Sequence, residues 1–191
     1  MASPDTERSR IFWPVVVTVV LSDIVTKWIA VRDLWPRGVP REVFGDVVRL
    51  TLVYNRGAAF GLHLGQYSRW IFLVLTVAAL VILAQLYRAT PGRDIARTLA
   101  IALVSGGAIG NLIDRVRGPQ GVVDFLDIGI GDMRWPTFNV ADMAVSIGAF
   151  LLAWVLWGED TEPELVAVPT PVTTPVTTPA PATMPAEPRE L

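Results

Sequence analysis

The sequence predicts an integral membrane protein, mainly α-helical, with four transmembrane helices and a small extracytoplasmic β-rich loop region. Three observations lead there. The 191 residues are 52% hydrophobic, with a mean hydropathy of +0.46, high for a soluble domain. The apolar residues collect into four stretches, at 11–31, 70–87, 95–113 and 138–157, each close to the ~20 residues a helix needs to cross the hydrocarbon layer. Trp13, Trp28, Trp35, Trp70, Trp135 and Trp157 fall at or near the ends of these stretches, where an aromatic belt would place them.

The first stretch follows Arg8 and Arg10, as the apolar part of a cleaved signal peptide would. It is too long for that role, it contains Asp23 and Lys27, and no A-x-A site follows. A retained helix is expected. The outer loop at 32–69 contains a β-branched, partly alternating run, VVRLTLVY at 47–54, that reads as a strand. A second extended piece is expected at 121–128, so that the two form a small sheet at the membrane surface. The membrane domain is expected to span 1–158. From residue 159 the composition changes to acidic residues and then TPVTTPVTTP, with eight of the fifteen prolines. A segment of this kind cannot bury a core, and 159–191 reads as a disordered tail.

Composition excludes several classes of function. A net charge of −2 leaves no footprint for nucleic acid, and the absence of cysteine removes disulfides, thiolate metal sites and a cysteine nucleophile. His63 is the single histidine, so no zinc site of the usual kind is expected. No metal or cofactor is expected at all. Four spans put both termini on one side. Arg8, Arg10, Arg88, Arg93 and Arg97 favour that side as cytoplasmic, but the opposite loops hold Arg32, Arg37, Arg41, Arg49, Arg56, Arg115, Arg117 and Arg134. The positive-inside rule alone leaves the topology open.

The chemistry must come from the polar residues inside the greasy segments. An ionisable group at mid-membrane costs on the order of 3 kcal/mol on insertion scales, so such groups face the bundle interior. Asp23 and Lys27 are four apart on one helix face and are expected to pair. Asn111, Asp114 and Arg115 form a polar face at the end of the third span, after Gly106, Gly107 and Gly110, which permit close helix approach. Asn139 and Asp142 open the fourth span; Asp142 lies roughly 6 Å along the axis from Phe138, just below a surface. The third span ends where the fourth begins, so these residues can converge. Asp124 sits in the apolar run VVDFL between them, which would hold it against the helix mouth. Two carboxylates in a low-dielectric site share a proton and titrate as a pair. That is the arrangement in which one carboxylate activates water while the other protonates a carbonyl, and it needs no metal, thiol or serine. The string GIGD at 129–132 matches the GxGD of presenilin-type proteases, but Asp132 stands in a polar turn and is set aside.

Four blocks occur in order: DIVTK at 23–27, NRGAAFG at 55–61, GGAIGNLIDR at 106–115, and VDF at 123–125 followed by FNVAD at 138–142. On these the chain resembles lipoprotein signal peptidase, or signal peptidase II, an integral-membrane aspartyl protease of bacteria. The resemblance implies an endopeptidase that cleaves a prolipoprotein just before its diacylglyceryl cysteine, with Asp124 and Asp142 as catalytic dyad. It implies supporting or substrate-binding roles for Asp23, Lys27, Asn55, Asn111, Asp114, Arg115 and Asn139. It also implies a multi-pass protein of the cytoplasmic (inner) membrane with both termini cytoplasmic and the site facing outward. The partners would be lipidated precursor and membrane lipid, with the enzyme itself monomeric. Ile24 stands where the family often has glutamine. The alternatives are a small membrane transporter or proton relay, since intramembrane ions also line such pathways, and a scaffold without catalysis.

Overall fold

A computed structural model describes residues 4–57 and 65–160. Residues 58–61 of the second block, His63 and the Pro/Thr-rich segment from 161 onward lie outside the described residues.

Four helices are long and apolar enough to cross a membrane: α1 (Pro4–Asp33), α2 (Ser68–Ala89), α3 (Ile95–Arg117) and α4 (Val140–Asp160). Each extends past its apolar stretch at one end or both, because the interfacial turns are polar and add no hydropathy. At the fourth, the helix begins at Val140, two residues into the apolar run, and Phe138 belongs to the sheet instead. α3 is the central element, packed against α1, α4 and α2. Its small residues explain that position. A Cβ on Gly106 would stand 2.9 Å from Val19 Cβ of α1, and one on Gly107 would run into the Ala141 carbonyl and 2.8 Å from Val145 of α4. α2 makes the opposite choice: apolar all round, it buries little and leans mainly on α3, as a lipid-facing helix does.

The two expected strands are present as β2 (Val48–Asn55) and β3 (Val122–Ile130), joined by β1 (Arg41–Phe44) and β4 (Met133–Arg134). The four form one antiparallel sheet in chain order. The outer strands were not expected: β4 is two residues long and β1 is exposed along its whole length, so neither shows a periodic pattern. The sheet sits on the C-terminal end of α1, where Ala30 and Leu34 pack with Leu52, Val123 and Phe125. The far end of the bundle is different. Its core of Phe12, Val16, Leu83, Ile101 and Ala102 is wholly apolar. All seven tryptophans are exposed.

β3 is tied on two sides. Along one edge it pairs with β2, Val53 opposite Asp124. On the other, Phe138 bridges to Leu126, its carbonyl accepting from the N–H of Phe125 and Leu126 at 3.0 and 2.8 Å. The next residues open α4. The strand bearing Asp124 is thereby stitched to the start of the helix bearing Asp142.

Candidate active site

The start of α4 is capped by its own polar residues. Asn139 Oδ1 accepts from the Asp142 N–H at 2.9 Å, and Asp142 Oδ2 accepts from the Asn139 N–H at 3.2 Å. This reciprocal box satisfies N–H groups that the first helical turn leaves open. Asp23 of α1 serves a further one, accepting from the Ala141 N–H at 3.0 Å. Burying a helix start among other helices requires such acceptors, which is one reason so apolar a segment keeps an acid at its mouth.

Asn139 does more than cap. Fully buried, it directs its amide nitrogen to Asp124 Oδ1 at 2.7 Å, to the Val123 carbonyl at 3.2 Å and to Asn111 Oδ1 at 3.2 Å. Asn111 donates in turn to Asp142 Oδ1 at 2.8 Å. The two asparagines therefore stand between the two aspartates and hold both. Asp124 is 2% exposed. Burial first, and then the negative charge of Asp142, push its carboxyl up to about 7; hydrogen bonds from Asn55 and Asn139 and the charge of Lys27 pull the other way. A carboxyl raised this far by desolvation and a like charge, facing a cleft, is the kind of group that handles protons near neutral pH.

Behind the asparagines lies a compact ionic cluster. Lys27 Nζ contacts Asp23 Oδ2 at 2.7 Å, Asp114 Oδ2 at 2.8 Å and Asn111 Oδ1 at 2.9 Å. Asp114 also accepts from the Val123 N–H at 3.2 Å, fixing β3 to α3. A Cβ on Gly110 would come within 2.5 Å of Asp23 Oδ2, so a glycine is required where α3 passes the cluster. The expected pair of Asp23 and Lys27 is present as a fastener of α1, α3 and α4. Arg115 donates to the Asn111 carbonyl at 3.2 Å and to the Gly57 carbonyl at 3.3 Å, tying the loop after β2 to the site. Asn55 Oδ1 accepts from the Gly57 N–H at 2.9 Å.

All nine residues singled out in the sequence thus meet at one end of the bundle. Asn55, Asn111, Arg115, Asp124 and Asp142 line a cleft of about 590 Å³, while Asp23, Lys27 and Asp114 lie behind it. The opposite wall is Trp135, Pro136, Thr137 and Phe138, and the floor runs down α4 through Met143, Ser146 and Ile147. Met143, Ser146 and Ile147 are also exposed, so the cleft opens sideways along the surface of α4. Sequence reasoning missed the wall. Its placement depends on Arg134, which donates to Asp127 Oδ1 at 2.5 Å and to the Asp46 carbonyl at 2.9 Å, and this contact between distant residues has no local signature. Asp132 is exposed in a turn, away from the cleft, as expected of a chance GxGD match. Among the described residues no group of three or more His, Cys, Asp or Glu is placed to hold a metal ion.

Comparison with known proteins shows what the whole chain is similar to. A family model described as signal peptidase (SPase) II matches residues 15–158. The chain is 42% identical over 160 residues to the lipoprotein signal peptidase of Nitratidesulfovibrio vulgaris (strain DP4), covering 82% of this chain and 94% of that one. It is 42% identical to that of Halothermothrix orenii over 147 residues, 76% and 94% of the two chains. A solved bacterial membrane enzyme superimposes with a TM-score of 0.68 at 33% identity, over 77% of this chain and 87% of that one. A second does so with a TM-score of 0.64 at 34% identity, over 74% and 89%.

Proposed function

The chain belongs to the signal peptidase II family; as a multi-pass membrane peptidase it removes signal peptides from prolipoproteins, and we propose that it does so as an aspartyl endopeptidase whose catalytic pair is Asp124 and Asp142. The observation that carries this reading is the pairing of a buried acid raised to about 7 with a second acid that faces the same cleft. Asp142 receives two N–H donors, from Asn111 and from the Asn139 backbone, which fix the orientation of its carboxyl group. Asp124 holds the shared proton at rest. In the reaction Asp142 takes a proton from water as the oxygen attacks the scissile carbonyl, and Asp124 gives its proton to the carbonyl oxygen. The tetrahedral gem-diol then collapses. The C–N bond breaks, the departing nitrogen takes a proton from Asp142, and the second hydroxyl proton returns to Asp124, leaving an acid and a free amine with the dyad restored.

The depth of the site supports the substrate implied by the family. A diacylglyceryl cysteine is anchored in one leaflet, so the bond before it lies at the interface, level with the first turn of α4. The sideways opening along Met143 and Ile147 admits a signal helix from the lipid. The resulting orientation has the sheet and site outside the cytoplasmic membrane, both termini inside, and a single chain as the working unit. Transport finds no support: among the described residues the buried charged side chains, Asp23, Lys27, Asp124 and Asp127, all gather at one end.

The test is cleavage of a diacylglyceryl prolipoprotein by the purified protein, wild type against Asp124→Asn and Asp142→Asn. Asparagine keeps the shape and cannot pass the proton. Loss of activity of roughly 10³-fold or more in both folded variants is expected. Near-wild-type rate in either variant removes that residue from the dyad.

A further inference from the structure

The outer face carries more arginine than the topology needs, and several of these are not spent on acids. Among the described residues, Arg37 and Arg56 have no carboxylate partner. Arg37 lies over the Tyr54 ring at 4.1 Å and donates to Gln120 Oε1 at 2.9 Å. Arg56 is exposed, directly after Asn55. Arg37, Arg56 and Gln120 line one depression of about 350 Å³, and among the described residues no acidic one borders it.

That depression is not isolated. It shares Val53, Tyr54 and Arg56 with a neighbouring cleft of about 390 Å³, and that cleft shares Asn55, Asp124, Pro136 and Thr137 with the catalytic one. A continuous groove therefore leads from the dyad across the end of β2 to the two guanidinium groups. β1 pairs with β2 only as far as Leu50, and the last contact along this edge is the Gly38 N–H donating to the Leu52 carbonyl at 3.0 Å, before the strand end is reached. Gly121 builds the far side. Its φ of +99°, and the lack of room for a Cβ beside the Asn55 backbone, bring the loop bearing Gln120 down onto the strand end.

We propose that Arg37, Arg56 and Gln120 form a subsite for a carboxylate carried by the substrate a few residues beyond the cleaved bond. This rests on the reading of Asp124 and Asp142 as the peptidase dyad. The signal helix lies on the membrane side of the cleft, so the chain after the lipidated cysteine must leave on the aqueous side, and this groove is the path that touches the dyad. An extended chain advances roughly 3.3 Å per residue, so the three-residue run from Val53 to Arg56 corresponds to about three substrate residues. Two guanidinium groups without a carboxylate partner, with an amide beside them, select a carboxylate over a neutral or cationic side chain there. The continuity with the dyad favours the departing peptide over a lipid phosphate as occupant.

The experiment uses the full-length enzyme in detergent and in vesicles. The substrates are one diacylglyceryl prolipoprotein with Glu, Gln or Lys at the third or fourth residue after the cysteine. The expected result is a KM about fivefold lower for Glu than for Gln, with similar kcat, given that an exposed ion pair contributes a few-fold at most. The preference should shrink at high salt and disappear in Arg37→Gln/Arg56→Gln. A wild type that cuts all three substrates equally, or a preference that survives both substitutions, overturns the subsite and leaves the peptidase reading intact. If the substitutions raise KM for all three substrates alike, and only in phosphatidylglycerol vesicles rather than phosphatidylcholine, the site holds lipid phosphate and the proposal is wrong. A wild type that cuts none of the three overturns the peptidase reading and the subsite with it.

Discussion

Two groups of acids, each with one fully buried member, face each other across Asn111, and they are treated in opposite ways. On one side Asp23 and Asp114 share the ammonium of Lys27 at 2.7 and 2.8 Å. On the other, Asp124 and Asp142 receive only amide and backbone N–H groups. The first group is neutralised as far as one cation allows and locks three helices together. The second is left without a salt bridge among the described residues, and burial together with the charge of Asp142 pushes the Asp124 carboxyl up to about 7. Asn111 joins the two, accepting from Lys27 and donating to Asp142. Burial alone therefore does not separate the proposed catalytic acids from the fastening ones; the kind of partner does.

This contrast can be broken at several points. The largest effect is expected at the dyad, and it should fall on rate alone. A carboxyl raised to about 7 from 3.8 holds its proton more tightly folded than unfolded. Its contribution to stability is then fully present below about 3.8 and lost as pH rises through about 7. Asp124→Asn should accordingly be inactive and yet melt at or above the wild-type temperature at pH 8. A thermal scan in detergent checks this, and a large drop in melting temperature would mean that Asp124 is structural.

The next largest effect belongs to the fastener, and here it should fall on stability. Lys27→Met leaves two buried carboxylates without their cation, at a cost on the order of 3 kcal/mol. The variant should unfold at markedly lower temperature, and pairing it with Asp23→Asn should recover part of the loss. If Lys27→Met keeps its stability and loses only kcat, the lysine acts in the chemistry instead.

Asn111→Ala probes the joint. Losing the donor that holds Asp142 should lower kcat by roughly 10- to 100-fold, comparable with other groups that orient a reacting side chain, while KM changes little. Equal loss in Tm and kcat would assign Asn111 to the fastener alone.

The smallest effect is a shift in pH profile. Activity requires one proton on the pair, so the rate should fall as pH rises through about 7, the value near which Asp124 loses its proton. Asn55 contributes a hydrogen bond that lowers this value. Asn55→Ala should therefore move the alkaline limb to higher pH, and an unmoved limb would place Asn55 on the substrate rather than on the dyad.

Much of this was legible in the chain. The four spans follow from composition, because a bilayer demands long apolar helices whatever their partners. Asp23, Lys27, Asn111, Asp114 and Asp142 stood out because an ion or an amide in a greasy helix is costly to leave against lipid and must face the interior. The i, i+4 spacing of Asp23 and Lys27 already implied their pair. Asp124 was harder to see, since only its apolar neighbours distinguish it from a solvated loop acid. Less legible still were β1 and β4, which are too short or too exposed for a periodic pattern, and the wall from Trp135 to Phe138.

By itself, then, the sequence determined the number of membrane crossings, the end of the bundle that carries charge, and the residue types available for chemistry, because each follows from local composition and helical spacing. Only the tertiary structure decided which acid meets the lysine and which meets another acid. That choice depends on the close passage of α3 past α1 and α4 at Gly107 and Gly110, and on the bridge from Phe138 to β3 that carries Asp124 to the start of α4. Contacts between residues far apart in the chain set the dielectric and the partners of each carboxylate, and those two quantities separate a fastener from a catalyst.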